Sequence, residues 1–277
     1  MNQKTLEKLR KFSIYIGLLF LLILTLAPIS IAIALSFRPS FEAYSVWHWI
    51  PYEFTIEPWI KALTLYKMNY FLLNSFYAAI GNAILTLIIS IPPSYLFARK
   101  KFKGKEIGFF LMIFALLFPY VLLIIPINVI LARLNLTDTI PGLWLAFLTF
   151  TIPYAVWILT DFFAKLPRDI EEAAMLDGLS DIGAFFKVVL PLSKPALFAT
   201  FFLAFLYGWD DFMFSSVLTT ENTRTAVVNL HAFTTATGFC YWAELMASVL
   251  MVSIPPAILY AILQKYIVKG LALTVGE

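Results

Sequence analysis

Two adjacent aspartates, Asp210 and Asp211, interrupt an apolar stretch of the chain and are flanked by the aromatic residues Trp209 and Phe212. A carboxylate is costly to bury in apolar surroundings, so such residues normally face a cavity or a partner. There they could accept hydrogen bonds from a ligand while the aromatic rings offer their faces. In the alternative interpretation the surrounding helix ends early, and the pair caps it at an outer surface.

Asn128 and Asn229 are further polar side chains that could hydrogen-bond a ligand, although each is more readily explained as a structural polar group. The sequence contains no G-x-x-x-x-G-K-[ST] phosphate loop, no H-E-x-x-H motif and no serine elbow with a histidine partner. Cys240 is the single cysteine, and His48 and His231 lie far apart. We therefore expect no catalytic residues, no bound cofactor and no metal site on this chain.

The longest polar interruption of the C-terminal half runs from Pro167 to Pro195. Pro167 suits a first helical turn, and the acidic residues that follow it favour the positive end of a helix dipole. Gly178 can adopt the left-handed conformation that ends a helix, and Ser180 can cap a second helix. The pattern predicts two short helices joined by a glycine, the second ending at Pro191.

This stretch resembles the EAA loop of ABC-transporter permease subunits. The resemblance rests on a Glu-Ala-Ala sequence, a glycine four residues later, a downstream phenylalanine and two prolines. In that family the loop is cytoplasmic and sits in a cleft of the ATP-hydrolysing subunit. The resemblance implies a coupling loop at 165–195 with these coupling residues: Glu171, Glu172, Ala173, Ala174, Asp177, Gly178, Phe185 and Pro191.

The composition places the chain in a membrane. Hydrophobic residues make up 61% and charged residues 13% of its 277 residues, whereas soluble domains have about 45–50% and about 25%. The net charge of +3 is small and spread over loops, which argues against a nucleic-acid partner. Six segments reach the length of about 20 residues that a membrane span needs: Phe12–Phe37, Phe71–Phe97, Ile107–Leu131, Leu143–Phe163, Ala196–Leu218 and Trp242–Ile267.

The resulting organisation is an all-α, multi-pass protein of the cell membrane with six transmembrane helices. We expect an N-terminal tail at 1–11, a first span at 12–37, an outer aromatic loop at 38–70, a core at 71–267 and a C-terminal tail at 268–277. Fifteen Lys and Arg residues lie on the side of the termini and the coupling loop, against five on the other side. This asymmetry predicts that both termini are cytoplasmic.

The resemblance covers nearly the whole chain and is closest to the carbohydrate-uptake branch, in particular the G subunit of maltose-type permeases. It implies the type I ABC importer fold, a second related permease, two ATP-binding subunits that hold ATP and Mg, and an extracytoplasmic sugar-binding protein. The implied substrates are α-linked di- or oligosaccharides such as maltose or trehalose. It also makes Trp209, Asp210, Asp211, Phe212, Asn128 and Asn229 candidates for a sugar pathway.

Two departures from the branch are visible. Many relatives have W-N-E-F where this chain has Trp209-Asp210-Asp211-Phe212, and the tail is shorter than the Gly-rich basic ending of relatives. Other interpretations are a permease for a solute such as glycerol phosphate, half of an ion-coupled secondary transporter, or a membrane scaffold. An ATPase partner that binds through the coupling loop would separate the ABC permease from the last two.

Overall fold

The structure, a computed structural model, describes residues 3–42, 50–234 and 240–275. The chain forms two compact units, Met1–Asn69 with Leu230–Ser253 and Tyr70–Asn229 with Ile254–Glu277. Residues 43–49 of the expected aromatic loop and the outermost ends of both expected tails lie outside the described residues. Within the described part the regular elements are helical, and the one β-bridge joins Thr234 to Cys240.

Helices account for both expected tails as well as for the spans, since the first helix begins at Gln3 and the last ends at Val275. The α-helices in the described residues are α1 Gln3–Ser36, α2 Glu57–Thr64, α3 Met68–Arg99, α4 Lys105–Phe114, α5 Ile124–Arg133, α6 Ile140–Lys165, α7 Asp169–Leu176, α8 Asp181–Ala184, α9 Leu190–Leu192, α10 Lys194–Asp210, α11 Met213–Leu218, α12 Ala226–Asn229 and α13 Trp242–Val275.

Among the described residues, four helical segments are long and apolar enough to cross a membrane: Arg10–Ser36, Met68–Arg99, Ile140–Lys165 and Trp242–Tyr266. Two bent helix pairs could each supply one more span, so the expected six depends on counting each pair once. In the first pair, Lys105–Leu117 and Tyr120–Arg133 meet at 95°. Phe118 is extended at this break, as the residue before a proline prefers, which explains why the helix ends before Pro119.

The fifth expected span, Ala196–Leu218, is not one helix. Helix α10 ends at Asp210, Asp211 adopts an extended conformation, and the chain resumes as the short helix α11. The structure therefore agrees with the alternative interpretation of the sequence, in which the helix ends early at the aspartate pair. In the second bent pair, α10 lies at 72° to the helical segment Asp181–Leu192 that precedes it.

The core of the Tyr70–Asn229 unit is built where α6 and α10 pack against α3. A Cβ atom on Gly208 would lie 3.1 Å from the Cα of Ala79 and 3.3 Å from the ring of Phe147, so glycine permits this close approach. The buried amide of Asn82 donates to the carbonyl of Ala204 at 2.8 Å and accepts from Thr151 at 3.1 Å. Such interhelical hydrogen bonds fix α3, α6 and α10 relative to one another.

The Met1–Asn69 and Leu230–Ser253 unit contains a buried carboxylate, Glu244, which is 2% exposed. Its Oε1 accepts from the Ser40 hydroxyl at 2.5 Å, and the Lys61 ammonium lies 3.9 Å away. In the described part of the aromatic loop, Phe54 and Trp59 stack on Phe37 with centroids 4.7 and 5.5 Å apart. These aromatic rings therefore pack on one another within this unit.

Candidate functional site

The polar stretch forms the two short helices that the sequence predicts. Helix α7 is followed by Gly178 at φ +91°, a conformation that glycine adopts without strain. The Ser180 hydroxyl then accepts from the backbone N–H of Gly183 at 3.2 Å and caps α8. We call the segment 169–184 the knob.

The two prolines lie close to the helix ends that the sequence predicts. Pro167 lies before the helix, which begins at Asp169. The second helix continues through a π-helical turn, Phe185–Val189, into α9 and ends at Leu192, one residue after Pro191. The chain turns at Ser193.

One acidic residue of the knob faces inward. Glu171 is 9% exposed, and its carboxylate accepts from Arg99 Nε at 2.7 Å and from the Tyr95 hydroxyl at 2.8 Å. Arg99 also donates to the carbonyl of Leu166 at 2.9 Å. The buried ion pair therefore ties the knob to the end of α3 and to the end of α6.

Phe185 supplies an apolar anchor beside this ion pair. Its ring lies 4.4 Å from that of Tyr95 and 6.3 Å from that of Phe163 between centroids. Ala174 and Val189 are also buried, at 7% and 2% exposure. Among the predicted coupling residues, Glu171, Ala174 and Phe185 therefore hold the knob in place from within.

The outward-facing residues of the knob are partly charged and partly apolar. Leu176 and Ile182 are 89% and 71% exposed, and Phe186, just beyond the knob, is 60% exposed. The other predicted coupling residues on exposed positions are Glu172, Ala173, Asp177, Gly178 and Pro191. Exposed apolar side chains grouped on one rigid element are typical of a protein-binding surface.

The aspartate pair lies at a cavity of about 570 Å³. Asp211 accepts from the backbone N–H and the hydroxyl of Ser215 at 2.8 and 2.9 Å, and thereby caps the start of α11. Asp210 is exposed at the end of α10. The cavity is lined by Leu116, Phe118, Tyr120, Phe150, Leu203, Leu206, Tyr207, Asp210, Asp211, Phe212 and Met213.

Three of the predicted pathway residues do not line this cavity. Trp209 is 1% exposed and stacks on Phe205 with centroids 5.5 Å apart, so its ring belongs to the core. One residue along a helix turns a side chain by about 100°, which separates Trp209 from Asp210. Asn229 is 2% exposed in α12, and Asn128 is partly buried in α5. The structure therefore groups only Asp210, Asp211 and Phe212.

Sequence reasoning missed the aromatic residues of the cavity and the basic anchor of the knob. Tyr207 precedes Asp210 by three residues, a spacing that puts both on one helix face. Tyr120 follows the break before Pro119, where the bent helix pair turns. Arg99 belongs to a basic stretch at 99–105, and the sequence carries no signal that pairs it with Glu171.

A hydrogen-bonded turn holds the chain beyond the cavity. Asp138 accepts from the backbone N–H of Thr220 at 2.8 Å, from the Thr223 hydroxyl at 2.5 Å and from Asn222 at 3.3 Å. Partial burial opposes ionisation of Asp138, but these hydrogen bonds outweigh it and lower the pKa of the carboxyl below its ordinary value. This turn fixes the loop after α11 to the start of α6.

No group of three or more His, Cys, Asp or Glu side chains within the described residues could hold a metal ion. The geometry combines an anchored helical knob, an aromatic cavity with a carboxylate, and the spans that connect them. Residues 90–273 match the family described as binding-protein-dependent transport system inner membrane component. The chain belongs to this family.

Relatives of this permease include proteins named for the transport of sugars. It is 32% identical over 270 residues to the trehalose/maltose transport system permease protein MalG of Thermococcus litoralis. This alignment covers 96% of this chain and 96% of the relative. It is 34% identical over 224 residues to the sulfoquinovosyl glycerol transport system permease protein SmoH of Agrobacterium fabrum, covering 80% of this chain and 78% of the relative. The resemblance to the carbohydrate-uptake permeases is confirmed, as is a multi-pass location in the cell membrane.

The fold also has a solved counterpart. One chain of a bacterial ABC transporter involved in the import of the acidic polysaccharide alginate superposes with a TM-score of 0.77 and 21% identity. The match covers 93% of this permease and 97% of that chain. At this identity the likeness establishes the fold, an ABC permease fold.

Proposed function

We propose that this permease forms one half of the sugar pathway of an ATP-driven importer and is driven through the knob 169–184. The observation that carries the proposal is the two-sided construction of the knob. Its inner side is fixed to α3 and α6 by the buried Arg99–Glu171 pair, while its outer side leaves Leu176 and Ile182 in solvent. Such an element can transmit force from a partner bound outside to the spans inside.

The partner that fits the knob is a nucleotide-hydrolysing subunit. The sequence of this permease contains no phosphate loop, so the ATP and Mg of the transport cycle would be held elsewhere. We infer an assembly of this chain, a second related permease, two ATP-binding subunits and an extracytoplasmic sugar-binding protein. The lysine and arginine asymmetry supports six spans with the termini and the knob in the cytoplasm.

The cavity supports a hydroxyl-rich substrate. Aromatic rings of Tyr120, Phe150 and Tyr207 surround a space at which Asp210 ends a helix. Aromatic faces and carboxylate acceptors together suit a sugar, whose hydroxyl groups can donate to Asp210. The similarity to a trehalose/maltose permease favours α-linked disaccharides or short oligosaccharides.

Co-purification tests the role of the knob. Leu176→Glu places a charge at the most exposed apolar side chain of the knob, so the ATPase subunit should be lost from the purified assembly. Phe102→Glu is the matched control, because Phe102 is an apolar residue of the basic stretch 99–105 and is 46% exposed. That variant should retain the ATPase.

Two results would contradict the proposal. If Leu176→Glu keeps both the ATPase and ATP-driven uptake, the knob is not the docking surface. If the purified permease transports sugar without any ATPase, it belongs to an ion-coupled carrier instead. A substrate screen on the reconstituted assembly with its binding protein then decides which sugar is carried.

A further inference from the structure

A second, largely apolar groove lies at the opposite end of α10 from the carboxylate cavity. Its volume is about 290 Å³, and its walls come from α3, α10 and α13. The lining residues are Leu87, Lys194, Leu197, Phe198, Phe201, Leu259 and Leu263. A water-soluble ligand would find almost no polar partner inside this groove, whereas a hydrocarbon chain would bury apolar surface.

The rim of the groove is basic and aromatic. Lys194 is exposed and precedes Phe198 by four residues, so the two share a face of α10. The Tyr266 ring lies 4.7 Å from the Phe198 ring, and the Lys265 ammonium lies 5.0 Å from the Tyr266 centroid. One ammonium group, that of Lys194, therefore lines the groove, and a second, that of Lys265, lies on a tyrosine that contacts the groove residue Phe198. Tyrosine is typical of the level of the lipid headgroups.

We propose that this groove binds an anionic phospholipid, with one hydrocarbon chain between α10 and α13 and the phosphate at Lys194 and Lys265. The charge pattern selects this occupant, because Lys194 is the only charged side chain that lines the groove and the other lining residues are apolar. An amphipathic molecule with a single anionic end matches that pattern, and juxtamembrane lysines attract anionic lipids. Long lysine side chains can extend to the headgroup while their stems cover the groove.

The location gives the lipid a physical consequence. The groove contacts α10 within its first two turns, directly after the 72° bend that separates this helix from the knob. A bound chain would fill the space beside Leu197 and Phe201 and restrain α10 at the point where the knob would pull on it. We therefore expect the lipid to stabilise one position of α10.

The test counts retained lipid. The purified assembly is reconstituted in nanodiscs of phosphatidylglycerol or phosphatidylcholine, extracted, and analysed by native mass spectrometry. Replacing Lys194→Gln and Lys265→Gln together should weaken phosphatidylglycerol retention about 30-fold, and phosphatidylcholine retention should not change. The matched control is Lys101→Gln with Lys103→Gln, which removes two lysines away from the groove and should leave retention as in the wild type.

A second variant tests the groove without changing charge. Leu197→Trp fills the space and should abolish retention of the phosphatidylglycerol, and a photo-crosslinking residue at position 197 should label lipid. Equal phosphatidylglycerol retention in the lysine variants and the control would overturn the proposal. Crosslinking of position 197 to a helix of the partner permease would overturn it as well, because that helix would then occupy the groove.

Discussion

The Arg99–Glu171 pair gives the sharpest test of how the knob is held. Its side chains are 6% and 11% exposed, and the Tyr95 hydroxyl completes the hydrogen bonds of the carboxylate. Removing one partner of a buried pair costs about 3–5 kcal/mol, because it leaves an uncompensated charge. In Glu171→Gln the side-chain amide oxygen remains as one neutral acceptor. The expected loss of free energy that holds the knob in place is therefore about 2–4 kcal/mol.

The assay is amide hydrogen exchange of residues 169–184 in the assembled transporter. A loss of that size should speed local opening of the knob about 30- to 700-fold, since 1.4 kcal/mol is a factor of ten. Transport per ATP hydrolysed should fall in the same variant, because a loosened knob moves without moving the spans. Membrane insertion should be unaffected, since the helices that span the membrane keep their own hydrogen bonds.

The knob contains its own matched control. Asp181 pairs with Lys100 at 2.5 Å, but these side chains are 59% and 45% exposed. An exposed pair contributes only about 0.2–1 kcal/mol, so Asp181→Asn should speed exchange less than about sixfold.

Tyr95→Phe should fall between the two variants, because it removes a single hydrogen bond to a charged group, worth about 1.5–3 kcal/mol. Equal effects of Glu171→Gln and Asp181→Asn on exchange would refute the reasoning. Unchanged transport per ATP in Glu171→Gln would refute the link from the anchor to coupling.

Three further predictions follow from single positions. Gly178→Ala forces a side chain into φ +91° without any clash, so it should loosen the knob by about 1–2 kcal/mol, measured by the same exchange. Gly208→Leu drives side-chain atoms into Ala79 and Phe147 and should lower the melting temperature of the purified permease by overpacking. The pKa of Asp138 is lowered in the folded chain, so its stabilisation is present at neutral pH and is lost as pH falls below about 4. The melting-temperature difference between wild type and Asp138→Asn should therefore shrink from pH 7 to pH 3, and a constant difference would contradict this.

Features that depend on neighbouring residues were predictable from the sequence. The glycine at Gly178 and the cap at Ser180 are both local, because a helix end needs a left-handed residue and a first turn needs an acceptor. Four of the six long apolar segments form single helices for the same reason, while the third and the fifth are broken. The proline signal at Pro191 located the helix end to within one residue, since the helical segment ends at Leu192.

Features that depend on distant residues were not predictable. Nothing in the sequence distinguishes Glu171, which is buried on Arg99, from Glu172 beside it, which is exposed. Likewise Trp209 and Asp210 are neighbours in the chain, but packing against Phe205 buries the first and leaves the second at the cavity. Partners separated by about 70 residues, such as Arg99 and Glu171, are brought together only by the packing of α3 beside α6.

Helix α10 extends from the bend that follows the knob to the cavity. It runs from Lys194, just after the bend, to Asp210 at the cavity, and at 1.5 Å per residue its 17 residues span about 25 Å. Its proline, Pro195, lies in the first turn, so the remaining backbone hydrogen bonds are uninterrupted and the helix can move as a rigid body. The contacts of Ala204 and Gly208 with α3 lie near the cavity end and form a close-packed fulcrum there. A displacement of the knob that is transmitted across the bend at Ser193 would therefore reach Asp210 as a tilt of α10 about that contact.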